Sequence, residues 1–487
     1  MTQRKEISLM TFDKPLNRLS LHAGMLRKII LSGVWAGTLA SPLLAHAADT
    51  GNASAPAQND LWTRQTLLGD MWGIRPALAR YGVTFSLNET SEYLNNLRGG
   101  IRRGGTYDGL TTATVQVDTQ KAFGWAGGTF NISALQIHGR NLSPNYLGSI
   151  QTASGIEADD TTRLWELWYQ QSLLNDRMSI RVGQQSLDQE FMNSPSLGLF
   201  VNTMFGWPTV PSYDMPSGGP AYPLSALGVR VSYKLANNLT ALAGVFDGNS
   251  TGATPSQDSQ KIDGSGTKFN LHNGALWIGE LQYNLNPADG GASSGLPGVY
   301  KIGVWYNTNR FADQGFDTNG VSLASPQSNG IGYAHRGNYS LYGIVDQMIW
   351  RESPTSARSV NFFTRVMGAP GDRNPISFSA NAGLVMHAPL PGRDNDSAGI
   401  GVGYAKVGNH AVALDRATAS INGGFSPVRS DETFVEATYQ YQVAPWWQLQ
   451  ADAQYTFNVG GGIVDPNNPT QKIGNTFVVG VRTSIAF

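Results

Sequence analysis

NTFVVGVRTSIAF, residues 475–487, closes the chain and carries two different faces. Phe477, Val479, Val481, Thr483, Ile485 and Phe487 form one row. Thr476, Val478, Gly480, Arg482, Ser484 and Ala486 form the other. The first row is apolar almost throughout; the second is small or polar and holds a cation. A period of two reads as a strand with different solvents on its two sides. Whether the apolar row meets a protein core or lipid decides the fold.

The same pattern recurs upstream. Trp165, Leu167 and Tyr169 alternate with Glu166, Trp168 and Gln170, and Met178, Ile180 and Val182 with Ser179, Arg181 and Gly183. Leu227, Val229, Val231 and Tyr233 oppose Gly228, Arg230, Ser232 and Lys234. Tyr300, Ile302, Val304 and Tyr306 oppose Lys301, Gly303, Trp305 and Asn307. Ile376, Phe378, Ala380, Ala382, Leu384 and Met386 oppose Ser377, Ser379, Asn381, Gly383, Val385 and His387. Val435, Ala437, Tyr439 and Tyr441, then Leu449, Ala451, Ala453, Tyr455 and Phe457, repeat it near the end. Runs of about ten residues exceed the usual globular strand of about five or six and match the thickness of a hydrocarbon layer crossed at a tilt. Apolar rows that begin or end on Tyr, Trp or Phe resemble interfacial girdles. The opposite rows hold Gln, Asn, Asp, Glu and Arg. Connections alternate between short turns such as LANN and long Gly/Asn/Ser loops such as residues 247–274. The expected fold is all-β: a transmembrane antiparallel β-barrel of about 16 strands at this chain length.

Composition agrees. Only 14% of the 487 residues are charged and 57 are glycine; mean hydropathy is −0.23, too low for a bundle of membrane helices. There is no cysteine, which excludes disulfide, zinc-cysteine and iron–sulfur chemistry. From Met25 (an alternative start), Arg27 and Lys28 precede the apolar stretch Ile29–Leu44 and the site Ala45-His46-Ala47, so residues 1–47 read as a secretory signal peptide. Residues 48–64 read as a flexible leader. Ile74, Leu78 and Tyr81, with Pro76 and Gly82, predict a short amphipathic helix over residues 65–81, the one helix expected in the mature chain; residues 82–487 are then the barrel. The mature chain carries a net charge of about −5 and no basic stripe, which excludes nucleic acid as a partner.

Several stretches together resemble the OprB-type carbohydrate-selective porins of Gram-negative outer membranes. They include LLGDMWGIRPALARYGVTFSLNETSEYLNN (67–96), RLWELWYQQ (163–171), IRVGQQSLDQEF (180–191), LFVNTMFGWP (199–208), PSGGPAYPLSALGVRVSY (216–233), GALWIGELQYN (274–284) and PGVYKIGVWYNT (297–308). The resemblance runs from about residue 61 to residue 487, with departures at Met71 and in the long loop after Asn249. It implies an outer-membrane location in a Gram-negative bacterium, a homotrimer or monomer, and facilitated diffusion of glucose and similar sugars without a cofactor. It also implies a helix at the periplasmic mouth, an inward-folded constriction loop over about residues 190–222, and recognition of Phe487 by the barrel-assembly machinery. The solvents of the two faces are then outer-membrane lipid and the pore.

A sugar pore needs paired cations and carboxylates to exchange hydrogen bonds with hydroxyls, and aromatic faces for the ring. Inward phasing selects Glu166, Arg181 and Arg230, with Asp188 and Glu190 leading into the constriction loop. Trp207 is the candidate stacking platform, while Phe205 reads as a loop anchor and Tyr213 as either. Gly218 and Gly219 read as a turn. A general-diffusion porin, or a channel for other small polar solutes, is the alternative. A barrel enzyme has little support: Gly291–Gly295 matches G-x-S-x-G only inside a Gly-rich loop, and no histidine pair has zinc spacing.

Overall fold

The computed structural model describes residues 60–286 and 295–487; the signal-peptide reading and most of the G-x-S-x-G match lie outside them. Sixteen strands close into one antiparallel barrel, each paired with its neighbours in sequence. They are β1 (Val83–Arg98), β2 (Gly104–Asp118), β3 (Gly128–Gly139), β4 (Thr161–Leu173), β5 (Met178–Gln185) and β6 (Ala226–Ala236). Next come β7 (Leu239–Asp247), β8 (Ala275–Leu285), β9 (Gly298–Asp317), β10 (Gly332–Arg351) and β11 (Ser359–Gly368). The circuit ends with β12 (Ile376–His387), β13 (Ser397–Val407), β14 (Asp431–Ala444), β15 (Trp447–Phe457) and β18 (Thr476–Ala486). A small hairpin, β16 (Val464–Asp465) with β17 (Asn468–Lys472), decorates the last long loop. Pairing of β1 with β18, Glu92 opposite Arg482, closes the ring and leaves no free edge.

The apolar rows point outward. Val481, Ile302, Leu341 and Ile400 are each more than half exposed, whereas Arg482, Asn307, Glu436 and Gln450 on the alternate rows are buried inside. That alternation is what a lipid-facing wall around a polar interior requires. Bulges break the phase at several points, where one extra residue turns the rest of the strand over to the other face. Ser133 opposes Glu166 while Ala134 opposes Leu164, so Trp165 is the extra residue. It leaves the lipid row expected for it and packs inside, edge-on to Tyr222 at 6.4 Å. Bulges at Leu97 and Ser377 likewise turn Arg98 outward, level with Phe477, and Ile376 inward.

The first helix spans only Ile74–Arg80, shorter than the span predicted. Met71, Trp72 and Gly73 all have positive φ and stop it from starting earlier. Arg75 ties it to the barrel seam, donating to the carbonyls of Phe85 (2.8 Å) and Phe487. The longest helix among the described residues, Asn409–Asn422, sits in the long β13–β14 loop. The sequence reading missed it, although the run AVALDRATA has strong helix formers.

Candidate functional site

The β5–β6 connection, residues 186–225, enters the barrel and crosses it. Its apolar residues build two cores inside the wall. Phe200 and Phe205 stack at 4.2 Å and meet Phe363 and Phe434 of β11 and β14. Phe191, Met192, Trp207, Val210 and Met215 join Trp165, Trp305 and Tyr342 in the other.

Wall carboxylates hold this loop through its backbone N–H groups. Glu166 accepts from Ser186 (3.1 Å), Glu280 from Met192 (2.9 Å) and Asp346 from Ser196 (2.9 Å). Glu436 accepts from Val201 (2.6 Å) and Asn202 (3.0 Å). Glu432 does the same for the β3–β4 loop, at Ile150 and Gln151, and for Gly460. One cation serves the opposite polarity: fully buried Arg365 donates to the carbonyls of Met192 and Gly206 (2.6 Å each) and of Met204. A buried polar backbone needs such partners, and an ionised partner makes the stronger hydrogen bond.

The six residues selected from the sequence therefore divide. Arg181, Arg230 and Glu190 converge. Arg230 grips the Glu190 carboxylate with Nε (2.6 Å) and Nη2 (2.5 Å), and Arg181 Nη2 reaches the same carboxylate at 3.1 Å. Gln170 Oε1 accepts from both guanidinium groups, at 3.0 and 2.9 Å, and Ser179 accepts from Arg230. The Arg181 guanidinium lies 4.0 Å above the Trp168 ring, which fixes its plane. Glu190 keeps a quarter of its side chain exposed, so the rung is open to solute on that side. Lys301 stands next along the wall, donating to Asn193 at 3.1 Å.

The other three are structural. Glu166 is buried on Ser186. Asp188 is 1% exposed and accepts from the Tyr222 N–H at 2.9 Å. Trp207 is 2% exposed and donates its indole N–H to the Gly218 carbonyl at 2.9 Å, so its ring offers no open face for a sugar. The φ values of Gly218 and Gly219, 78° and 82°, form the turn that this indole covers. Tyr213 donates to the Ile150 carbonyl. The missed members of the rung, Trp168, Gln170 and Ser179, were visible as inward-phased neighbours of Glu166 and Arg181. No grouping of His, Cys, Asp and Glu suited to a metal occurs among the described residues.

Comparison with known proteins agrees with this architecture. Residues 102–487 match the family model of the carbohydrate-selective porins, OprB family. Porin B of Pseudomonas aeruginosa is 25% identical over 474 residues, covering 93% of this chain and 96% of that protein. The high-pH structure of Pseudomonas putida OprB superposes with a TM-score of 0.76 at 22% identity, over 88% of this chain and 99% of that one. Its low-pH structure gives 0.54 over the same shares. These solved structures share the fold of the barrel. The chain belongs to the OprB family of carbohydrate-selective porins, channels of the Gram-negative outer membrane rather than enzymes.

Proposed function

We propose that this porin passes neutral sugars of monosaccharide size, glucose among them, and selects them at the Arg181–Arg230–Glu190 rung. The observation that carries the reading is that two guanidinium groups and one carboxylate share their hydrogen bonds at a partly exposed point beside Trp168. A sugar hydroxyl accepts from arginine and donates to carboxylate, so it can replace water there without a net change in charge. Binding at such a site is weak enough to release, which passive conduction requires. Liposome swelling tests it: glucose should enter clearly faster than a zwitterionic amino acid of similar size. Rates that follow size alone would make this a general-diffusion pore.

Copies of the chain associate through the outer face of β1–β3, in this reading as a homotrimer. There, on the row that carries lipid-facing Tyr93, Ser91 and Thr111 donate to Glu89, Ser91 bonds Tyr107 (2.9 Å), and Tyr107 bonds His138 (3.2 Å). Even with both oxygens hydrogen-bonded, a mid-wall carboxylate is costly against lipid tails, and a facing polar protein wall lowers that cost. Glu89→Leu, which lipid solvates without cost, should then weaken the oligomer on native gels while the barrel stays folded; a Leu variant with an unchanged oligomer would remove this reading. Phe487 remains the expected signal for the assembly machinery, and its deletion should lower the amount of folded barrel.

A further inference from the structure

Above β3 and β4, at the long-loop mouth, a cavity of about 510 Å³ lies between two loops that the selectivity rung does not touch. One wall is the start and end of the β3–β4 loop: Arg140, Asn141, Asn145, Asp159 and Asp160. The other is Gln260 and Lys261 of the β7–β8 loop. The two walls are fastened to each other. The Asp159 N–H donates to Gln260 Oε1 at 2.7 Å and the Thr161 hydroxyl to the Gly264 carbonyl at 2.8 Å. Within the first loop Asn145 Nδ2 donates to the Asn141 carbonyl at 2.8 Å. Asp258 caps the short helix Ser259–Ile262 that carries Gln260 and Lys261, accepting from both their N–H groups. The cavity is therefore built before any solute arrives.

We infer that this cavity is a capture site for neutral oligosaccharides at the outer mouth of the pore. Its size falls in the range of ligand sites, about 300–1,000 Å³, and exceeds what one monosaccharide fills. Both signs of charge line it: Arg140 and Lys261 stand with Asp159 and Asp160, and Asp258 pairs with Lys261 at 3.1 Å, so no large single-sign field favours a strongly anionic or cationic solute. Burial, and then the nearby Asp258, lift the Asp159 carboxyl to about 6, still below neutral pH, so the group is mainly an ionised acceptor there despite the lift. Three planar amides add donors and acceptors side by side. Ala158 is the sole apolar residue in the lining. A chain of hydroxyls suits such a wall. A weak site ahead of the constriction raises local solute concentration and so matters when sugar is scarce.

This inference rests on the sugar-porin reading, and the test separates the two. Isothermal titration of the purified porin with maltotriose should give saturable binding. The double variant Arg140→Ala/Asp160→Ala, two exposed side chains outside the barrel wall, should lose at least about tenfold in affinity. Swelling rates at saturating glucose should not change, because the rung is intact. Equal maltotriose binding by the variant and the native porin would overturn the capture site. So would heat with calcium but none with maltotriose. Saturable maltotriose binding with no preference for glucose in swelling would keep the site and sink the monosaccharide reading.

Discussion

Glu436 and Glu190 are both carboxylates inside the same barrel, and they do opposite things. Glu436 is fully buried and spends both oxygens on the backbone of residues 201 and 202. Glu190 comes from the loop itself, reaches back to the wall, and keeps part of its surface in the lumen beside two arginines. The first group fixes where the loop lies. The second, in the proposed function, meets the solute in the gap that remains. Inward charges in this barrel thus include both fastenings and lining groups, and burial of both oxygens distinguishes them.

Removing the strongest fastening should blur this distinction most. Arg365→Met deletes a cation that holds three carbonyls from both limbs of the loop. Hydrogen bonds from a charged donor contribute about 1.5–3 kcal/mol each, and the orphaned carbonyls add a desolvation penalty. The loop should detach, single-channel conductance should rise roughly twofold or more, and sugar preference should vanish. Bilayer recording beside liposome swelling measures both. An Arg365→Met pore with native conductance and preference would mean that the loop stands without its fastenings.

Glu190→Gln acts on the rung alone. It leaves Arg181 and Arg230 without their carboxylate while the fastenings at Met192, Ser196 and Val201 persist. Conductance should stay close to native, but the reversal potential in a salt gradient should move toward anions. Glucose entry should slow, by an order of magnitude at most, since the site is partly exposed and screened. If ion preference does not move, Glu190 belongs with the fastenings and the comparison fails.

Which charge falls in which group was only half legible in the sequence. The period of two placed Arg181, Arg230, Gln170 and Trp168 inside, because side-chain direction along a strand is a local property. Bulges spoil that phase by one residue, and the run RLWELWYQQ gives no Gly or Pro to mark the one at Trp165. Loop docking was not legible at all. Glu436 meets Val201 across 235 positions of sequence, and Trp207 looks as much like a sugar platform as like a core residue until the turn at Gly218 is seen to cover it. Contacts of that range depend on closure of the whole barrel.

The two tryptophans offer the finest test. Trp207 and Trp168 are both nearly buried, but only Trp168 lies against a rung member, with the Arg181 guanidinium 4.0 Å from its ring. Trp207→Phe removes one indole hydrogen bond to Gly218 and some volume from a packed core. It should lower stability by about 1–2 kcal/mol and leave glucose swelling rates as they are. Trp168→Phe keeps an aromatic face but weakens the attraction that orients the guanidinium, which indole provides best. Its stability loss should be similar, yet glucose entry should fall severalfold while conductance to small ions is retained. Heat-modified mobility on gels reads stability, and swelling reads selection. Two variants alike in stability but different in selection would locate the sugar at Arg181. Equal selection in both would place the recognition of solute elsewhere, with Lys301 of the wall and Asn193 of the loop as the next pair to test.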